Sequence, residues 1–258
     1  MKKLDGKVAI VTGGGQGIGR AAAIALAGQG CRVIIGNRDQ EKGQQVVDEI
    51  SRLGGSATYR RTDVTRAEDV SALTDLALDK FSRLDIAFNN AGIMHEALPT
   101  DRLDDGAFQR VMNVNVRGVW LGMKYQIPAM LSSGGGSIVN TASVLGLTAV
   151  PNNAAYVASK HAVLGLTKVA ALEYGAKGVR VNAVSPALTN TNMAKEGLLN
   201  GETEAERTQA RERAMAAHPI GRLAESEDIA SAVMWLASED SSFVLGQSLT
   251  VDGGWSAQ

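Results

Sequence analysis

The stretch Val8-Ala9-Ile10-Val11-Thr12-Gly13-Gly14-Gly15-Gln16-Gly17-Ile18-Gly19 decides the fold. Val8 to Val11 is a continuous apolar run, the pattern of a strand buried on both faces. Beyond the glycines, Ile18, Ala21, Ala22, Ala25 and Leu26 recur at helical spacing on one face, and Gly28 and Gly30 punctuate the end. The order is therefore strand, glycine turn, helix. Glycines let such a turn close tightly and let backbone N–H groups approach a pyrophosphate, whose charge is favoured at a helix start. A glycine-rich turn alone is weak evidence, but this one has the flanking elements that dinucleotide binding requires.

Outward from that unit, short apolar runs alternate with helix-period stretches. Further strands are expected at residues 32 to 36, 57 to 61, 85 to 89, 137 to 141, 179 to 184 and 248 to 251. The reading is an α/β chain: one Rossmann-type doubly wound parallel sheet of about seven strands with helices on both faces, spanning residues 1–258 as a single dinucleotide-binding and catalytic domain. Residues 188–217 stand apart. They carry Asn, Thr, Glu and Arg with Gly197 and Gly201, then a charged helical stretch ending near Ala217. Long insertions of this kind are usually functional, and this one reads as a substrate lid.

Composition narrows the partners. A formal net charge of −1, with Lys and Arg spread along the chain, lacks the footprint of a nucleic-acid or anionic-membrane binder. The apolar run after Met1-Lys2-Lys3 is too short for a signal peptide or spanning helix, and the single cysteine, Cys31, fits a reducing compartment. A cytoplasmic protein acting on small molecules is expected. His95, His161 and His218 are far apart, so no metal site is expected.

Where the second strand ends, an acidic side chain would grip the adenosine ribose hydroxyls of NAD. Here the residues are Gly36-Asn37-Arg38. Asn37 removes the carboxylate that would repel a 2′-phosphate, and Arg38 offers a fork suited to phosphate oxygens. NADP(H) is favoured. NAD(H) stays open if Arg38 is merely solvated and Asp39 reaches the ribose.

Chemistry is read from Tyr156-Val157-Ala158-Ser159-Lys160, with Ser143 thirteen residues earlier. Positions i and i+4 share a helix face, so the Lys160 ammonium can sit beside the Tyr156 phenol and lower its pKa toward useful acid–base chemistry. A serine hydroxyl could then hold the substrate oxygen. With four tyrosines and ten lysines in 258 residues, chance yields this spacing about one time in six. Its company raises its value.

These motifs together resemble the short-chain dehydrogenase/reductase family in its single-domain branch, over essentially the whole chain. Thr12-Gly13 to Gly19 matches the TGxxxGxG turn, with Gly13, Gly17 and Gly19 at the glycine positions and Gln16 and Ile18 between them. Asp63-Val64 matches the pair framing adenine, and Asn89-Asn90-Ala91-Gly92 the NNAG segment beside the cofactor. Asn115 falls at the active-site asparagine, and Ser143, Tyr156 and Lys160 complete a tetrad. In Pro186-Ala187-Leu188-Thr189-Asn190-Thr191 an alanine replaces the usual glycine, while Pro186, Thr189 and Thr191 stand at nicotinamide-side contacts. Ala187 would restrict that turn if it needs a positive φ.

The resemblance implies hydride transfer between a nicotinamide cofactor and a ketone or secondary alcohol, as in carbonyl reductases and alcohol dehydrogenases. It implies that Tyr156 exchanges the proton, that Lys160 also holds the ribose beside it, that Ser143 binds the reacting oxygen, and that Asn115 supports a proton relay. It also implies a homotetramer. Two rival readings share the fold: a noncatalytic nucleotide sensor, and an NAD-dependent sugar or hydroxy-compound dehydrogenase. His95 could touch substrate or lie at the surface. His161 is expected at a subunit face, and Trp120, Met123 and Tyr125 in core or interface.

Overall fold

In the computed structural model, which describes residues 3–197, 199 and 203–257, seven strands form one sheet: β1 (Val8–Thr12), β2 (Arg32–Asn37), β3 (Ser56–Arg61), β4 (Ile86–Asn89), β5 (Gly136–Thr141), β6 (Val179–Pro186) and β7 (Ser248–Val251). Met1 and Lys2, and Leu198, Asn200, Gly201 and Glu202 of the expected lid, lie outside the described residues. The strand order is β3-β2-β1-β4-β5-β6-β7, and every pairing is parallel. β1 has β2 on one side and β4 on the other, so the order reverses there. In open α/β sheets the crevice beyond the carboxyl ends of the strands at such a reversal is where ligands bind.

Both faces of the sheet are covered. On one face α1 (Gly17–Gly28), α2 (Gln40–Arg52) and α9 (Ser226–Ala237) pack through Leu26, Val46, Ile229 and Val233 on Ala9, Val11 and Ile35. On the other, α3 (Ala67–Phe81), α5 (Gly118–Ser132) and α6 (Ala154–Tyr174) pack through Leu73, Val119, Met123 and Val163 on Val8, Ile10 and Ile34. Alternate residues of β1 thus enter opposite cores, which is why its sequence is apolar throughout. The face of α1 is wider than its periodicity indicated. Ala23 and Ala27 are buried while Ile18 and Ala25 are only partly so, because α9 covers a second side. The remaining described helices are α4 (Asp105–Met112), α7 (Asn192–Glu196) and α8 (Glu204–Ala216). No helix among the described residues is long and apolar enough to cross a membrane.

A fully buried polar array ties four elements together on the α5 side. Asn89 and Gln126 exchange amide hydrogen bonds at 3.0 and 2.9 Å, Asn89 Nδ2 donates to Asn140 Oδ1 at 3.0 Å, and Asn140 Nδ2 donates to Thr167 Oγ1 at 3.0 Å. Burying amides is costly unless they are paired, and here each amide has a partner. β4, β5, α5 and α6 are therefore held in one register, with the first turns of α6 above the carboxyl edge of β5.

Candidate active site

The glycine turn opens α1 at that carboxyl edge. Gly13 and Gly17 adopt φ of +64° and +53°, conformations that side chains rarely take. Gly19 is required for a different reason: a Cβ there would sit 2.3 Å from Gly13 O. Beyond the turn, α1 begins at Gln16 without a side-chain cap, so its first N–H groups have no side-chain cap acceptor. Asn90 closes the turn from the neighbouring strand, donating from Nδ2 to Thr12 O and Gly13 O, both at 3.3 Å. Thr12 Oγ1 in turn accepts from Asn90 N at 3.0 Å and Ala91 N at 3.3 Å. Gly17 faces Thr191, whose Cγ2 would lie 3.3 Å from an added Cβ. A pyrophosphate fits this cradle, since glycines leave it open and a helix start faces it.

At the adenosine end, Asn37 leans over Gly15, and a Cβ on Gly15 would meet Asn37 Nδ2 at 2.5 Å. Asn37 Nδ2 donates to Asp39 O at 3.0 Å. Asp39 is committed elsewhere: its carboxylate caps α2 by accepting from Lys42 N at 3.1 Å. Arg38 is exposed, and Arg61 pairs opposite Asn37 on β3. Asp63 is partly buried. Desolvation raises its carboxyl, but hydrogen bonds from Thr65 and the charges of Arg38 and Arg61 outweigh it and hold it low. Val64 packs on Val70 and Leu121, with Gly118 giving it room.

The catalytic candidates converge from three elements: a π-helical turn, the segment after β5, and α6. Asn115 lies in a π-helical turn, Asn113–Arg117, between α4 and α5, and is buried. Its amide clamps the chain after the NNAG segment: Ile93 N donates to Oδ1 at 2.8 Å and Nδ2 donates to Ile93 O at 2.9 Å. Nδ2 also donates to Ser159 Oγ at 3.0 Å, and Ser159 Oγ donates to Tyr156 O at 2.7 Å. Asn115 is thus linked through Ser159 to the tyrosine's own backbone. Ser143 is buried, accepts from Leu145 N at 3.1 Å and donates to Pro186 O at 3.4 Å. Lys160 is buried, and its Nζ donates to Thr141 O at 2.8 Å, the last residue of β5. Gly92 also belongs here, since an added Cβ would lie 3.7 Å from Lys160 Nζ.

The electrostatics differ from the expectation drawn from spacing. Lys160 Nζ is 5.4 Å from the centre of the Tyr156 ring, yet the phenol is shifted upward by burial, partly countered by a hydrogen bond with Ser143. Burial also pulls the Lys160 ammonium down, to about 8. The physical reason is shared desolvation: both groups sit in the same low-dielectric cluster, and the ammonium is turned to the Thr141 carbonyl. The phenol is therefore kept protonated at neutral pH.

The 186–191 segment settles the question of Ala187. Ala187 has no positive φ, so alanine is tolerated in the turn, and its N–H donates to Val251 O at 3.2 Å. Thr189 is buried with Oγ1 donating to Ala187 O at 3.0 Å. Thr191 caps α7 through Ala194 N at 3.4 Å. Leu188, Ala194, Leu199, Ala214, Met215 and Leu223 make a small apolar cluster beneath α7 and α8. Outside the site, His161 and Glu173 are exposed, Met123 is buried, and Trp120 is 44% exposed. No cluster of three or more metal-ligating side chains occurs among the described residues.

Ser159, Thr141 and Ile93 were given no role from sequence, and Thr12 only its place in the TGxxxGxG match. Only Ser159 carried a readable signal, since a serine three residues after a helical tyrosine readily bonds back to its carbonyl.

Comparison with known proteins agrees with this geometry. A family profile described as "Enoyl-(Acyl carrier protein) reductase" matches residues 13–256. Cyclohexanol dehydrogenase of Acinetobacter sp. (strain SE19) is 43% identical, covering 99% of this chain and 97% of that protein. A 2,5-dichloro-2,5-cyclohexadiene-1,4-diol dehydrogenase of Sphingobium indicum is 44% identical over the full length of both. Among solved structures, carveol dehydrogenase from Mycobacterium avium in complex with NAD superposes with a TM-score of 0.95 at 31% identity, covering 100% of each chain. With its glycine cradle, its Ser143, Tyr156 and Lys160 cluster and these full-length relatives, the chain belongs to the short-chain dehydrogenase/reductase family, nicotinamide-dependent oxidoreductases of CH–OH and C=O groups.

Proposed function

We propose that this enzyme interconverts a ring-bearing secondary alcohol and its ketone with NADP(H) as the preferred cofactor. The observation that carries the reading is the convergence of Ser143 Oγ, the Tyr156 phenol and Lys160 Nζ beside an open glycine cradle. Cyclic substrates are supported by relatives named for cyclohexanol and a cyclohexadienediol.

When bound, a nicotinamide would supply the hydride exchange at the carbinol carbon. Ser143 donates a hydrogen bond to the reacting oxygen, exchanging its long contact with Pro186 O for a better acceptor. Tyr156, protonated at neutral pH, gives its phenolic proton to that oxygen in reduction and takes it back in oxidation. Lys160 Nζ, which donates to Thr141 O, would hold the ribose hydroxyls of the cofactor with its remaining donors. Asn115 fixes Ile93 and Ser159, so the 93–98 loop and the Tyr156 backbone keep their spacing, and it supports the proton relay.

For the cofactor, Gly13, Gln16, Gly17, Ile18 and Gly19 would hold the pyrophosphate. Asp63, Val64, Asn90, Ala91 and Gly92 would line the adenine and ribose path, with Pro186, Thr189 and Thr191 on the nicotinamide side. The case for NADP(H) rests on Arg38 and Arg61 at the adenosine end and on Asp39 being spent as the α2 cap. Residues 188–217 act as the substrate lid of a single domain, an assignment supported by the apolar underside formed by Leu188, Ala194 and Met215. A homotetramer is supported by large apolar side chains left at the surface, Leu172 at 84% and Phe243 at 103% exposure. A cytoplasmic location is supported by the free, buried Cys31.

The test is steady-state turnover of cyclohexanol and cyclohexanone with each nicotinamide. Higher kcat/KM with NADP(H) is expected. A clear NAD(H) preference would overturn the Arg38 assignment, and tight nucleotide binding without turnover across ketones, diketones and sugars would favour a sensor.

A further inference from the structure

Among the described residues, His95 holds a buried ring nitrogen, Nε2, that has no hydrogen-bond partner. The other nitrogen, Nδ1, lies 2.6 Å from Glu96 O. A carbonyl oxygen only accepts, so Nδ1 carries the hydrogen. In the neutral ring Nε2 is then an acceptor, and only a donor can satisfy it.

The loop that carries His95 is fastened at both ends to the active site. Ile93 is clamped through N and O by the Asn115 amide, and Leu98 N donates to Asn152 O at 3.1 Å, four residues before Tyr156. Gly92, at the start of the loop, lies beside Lys160 Nζ. Three extended residues span at most about 10 Å, which keeps His95 within one small molecule's reach of that cluster. An acceptor left unpaired in a buried place is a standing cost, which a ligand donor relieves.

We propose that His95 is a specificity-determining residue that accepts a hydrogen bond from a second hydroxyl of the substrate, remote from the one oxidised. The preferred substrate class is then a diol or hydroxyketone rather than a simple alcohol. This rests on the assignment of Tyr156 and Ser143 as the reacting centre.

The test measures kcat/KM of wild type, His95→Phe and His95→Gln for cyclohexanol and for cyclohexane-1,2-, 1,3- and 1,4-diol. In wild type at least one diol should exceed cyclohexanol by about tenfold, the value of roughly one good hydrogen bond. His95→Phe should abolish that ratio, and His95→Gln, which keeps an acceptor, should restore much of it. A ratio unchanged in His95→Phe, or no diol preference in wild type, overturns the inference while leaving the proposed function intact. Wild-type enzyme that turns over none of these alcohols removes both.

Discussion

Replacing Gly19 by alanine would place a methyl carbon 2.3 Å from Gly13 O and 2.7 Å from Asn90 Nδ2. Ordinary carbon contacts lie near 3.5 Å, so the overlap is about 1 Å. Gly13 cannot yield easily. Its N–H is held by Gly36 O at 2.8 Å, and its own α-carbon faces Ala91 Cα, 2.9 Å from an added Cβ. The turn must therefore open. Overpacking of this kind costs about 1–3 kcal/mol, offset by about 0.5–1 kcal/mol because alanine favours the helix. A net loss near 1 kcal/mol lowers Tm by roughly 2–4 °C. Function suffers more, since a charge-assisted hydrogen bond to phosphate is worth about 1.5–3 kcal/mol, and losing one weakens NADPH binding about 10- to 100-fold. Gly28→Ala is the control. No heavy atom lies within 4 Å of its added Cβ and its φ is not positive, so stability should hold or rise slightly. Thermal melts with NADPH titration by fluorescence decide the matter, and wild-type affinity in Gly19→Ala would refute the cradle assignment.

Arg38→Gln should weaken NADPH binding about tenfold or more while changing NADH binding little, as comparative titration would reveal. Asp85, buried at the amino end of β4, is subject to desolvation that raises its carboxyl, but Arg83, the Val8 N–H and Lys7 outweigh it and hold it below the ordinary value. Its stabilisation is therefore full above the unfolded pKa of about 3.9 and is lost as pH falls through the lower folded value. Urea unfolding of Asp85→Asn should show a deficit of about 1–3 kcal/mol at neutral pH that vanishes in acid; a deficit independent of pH would contradict the ionic account. Because burial raises the Tyr156 phenol, oxidation should accelerate as pH rises through neutrality, whereas reduction should hold steady. Cofactor affinity should fall as pH rises through about 8, where the Lys160 ammonium loses its proton.

The central strands were legible because a doubly wound sheet buries both their faces, leaving apolar runs such as Val8 to Val11; all seven expected strands, including the half-exposed edge strand β3, appear at or near their expected ends. The site was legible where the chemistry needs a residue type at a fixed spacing, as in the glycine turn and Tyr156 with Lys160. What escaped was set by tertiary approach. Nothing local marks the π-helical turn that aims Asn115 at Ile93, or the turn of Lys160 toward Thr141 O. Spacing put a cation near the phenol correctly but could not register that both would be desolvated together, which reverses the sign of the phenol's shift. Of the residues read as core or interface, Met123 is core, while Trp120 is 44% exposed with Lys124 Nζ 5.3 Å from its ring centre and so is not core in the single chain.

The central claim is that Tyr156 moves the proton while the cradle independently holds the cofactor. Tyr156→Phe tests it most directly, with turnover of cyclohexanol and cyclohexanone and the Kd for NADPH measured on the same preparation. The account requires kcat to fall by about 100-fold or more, the usual worth of a positioned acid–base group, while the Kd stays within a few-fold of wild type. Turnover retained in the phenylalanine variant would contradict it.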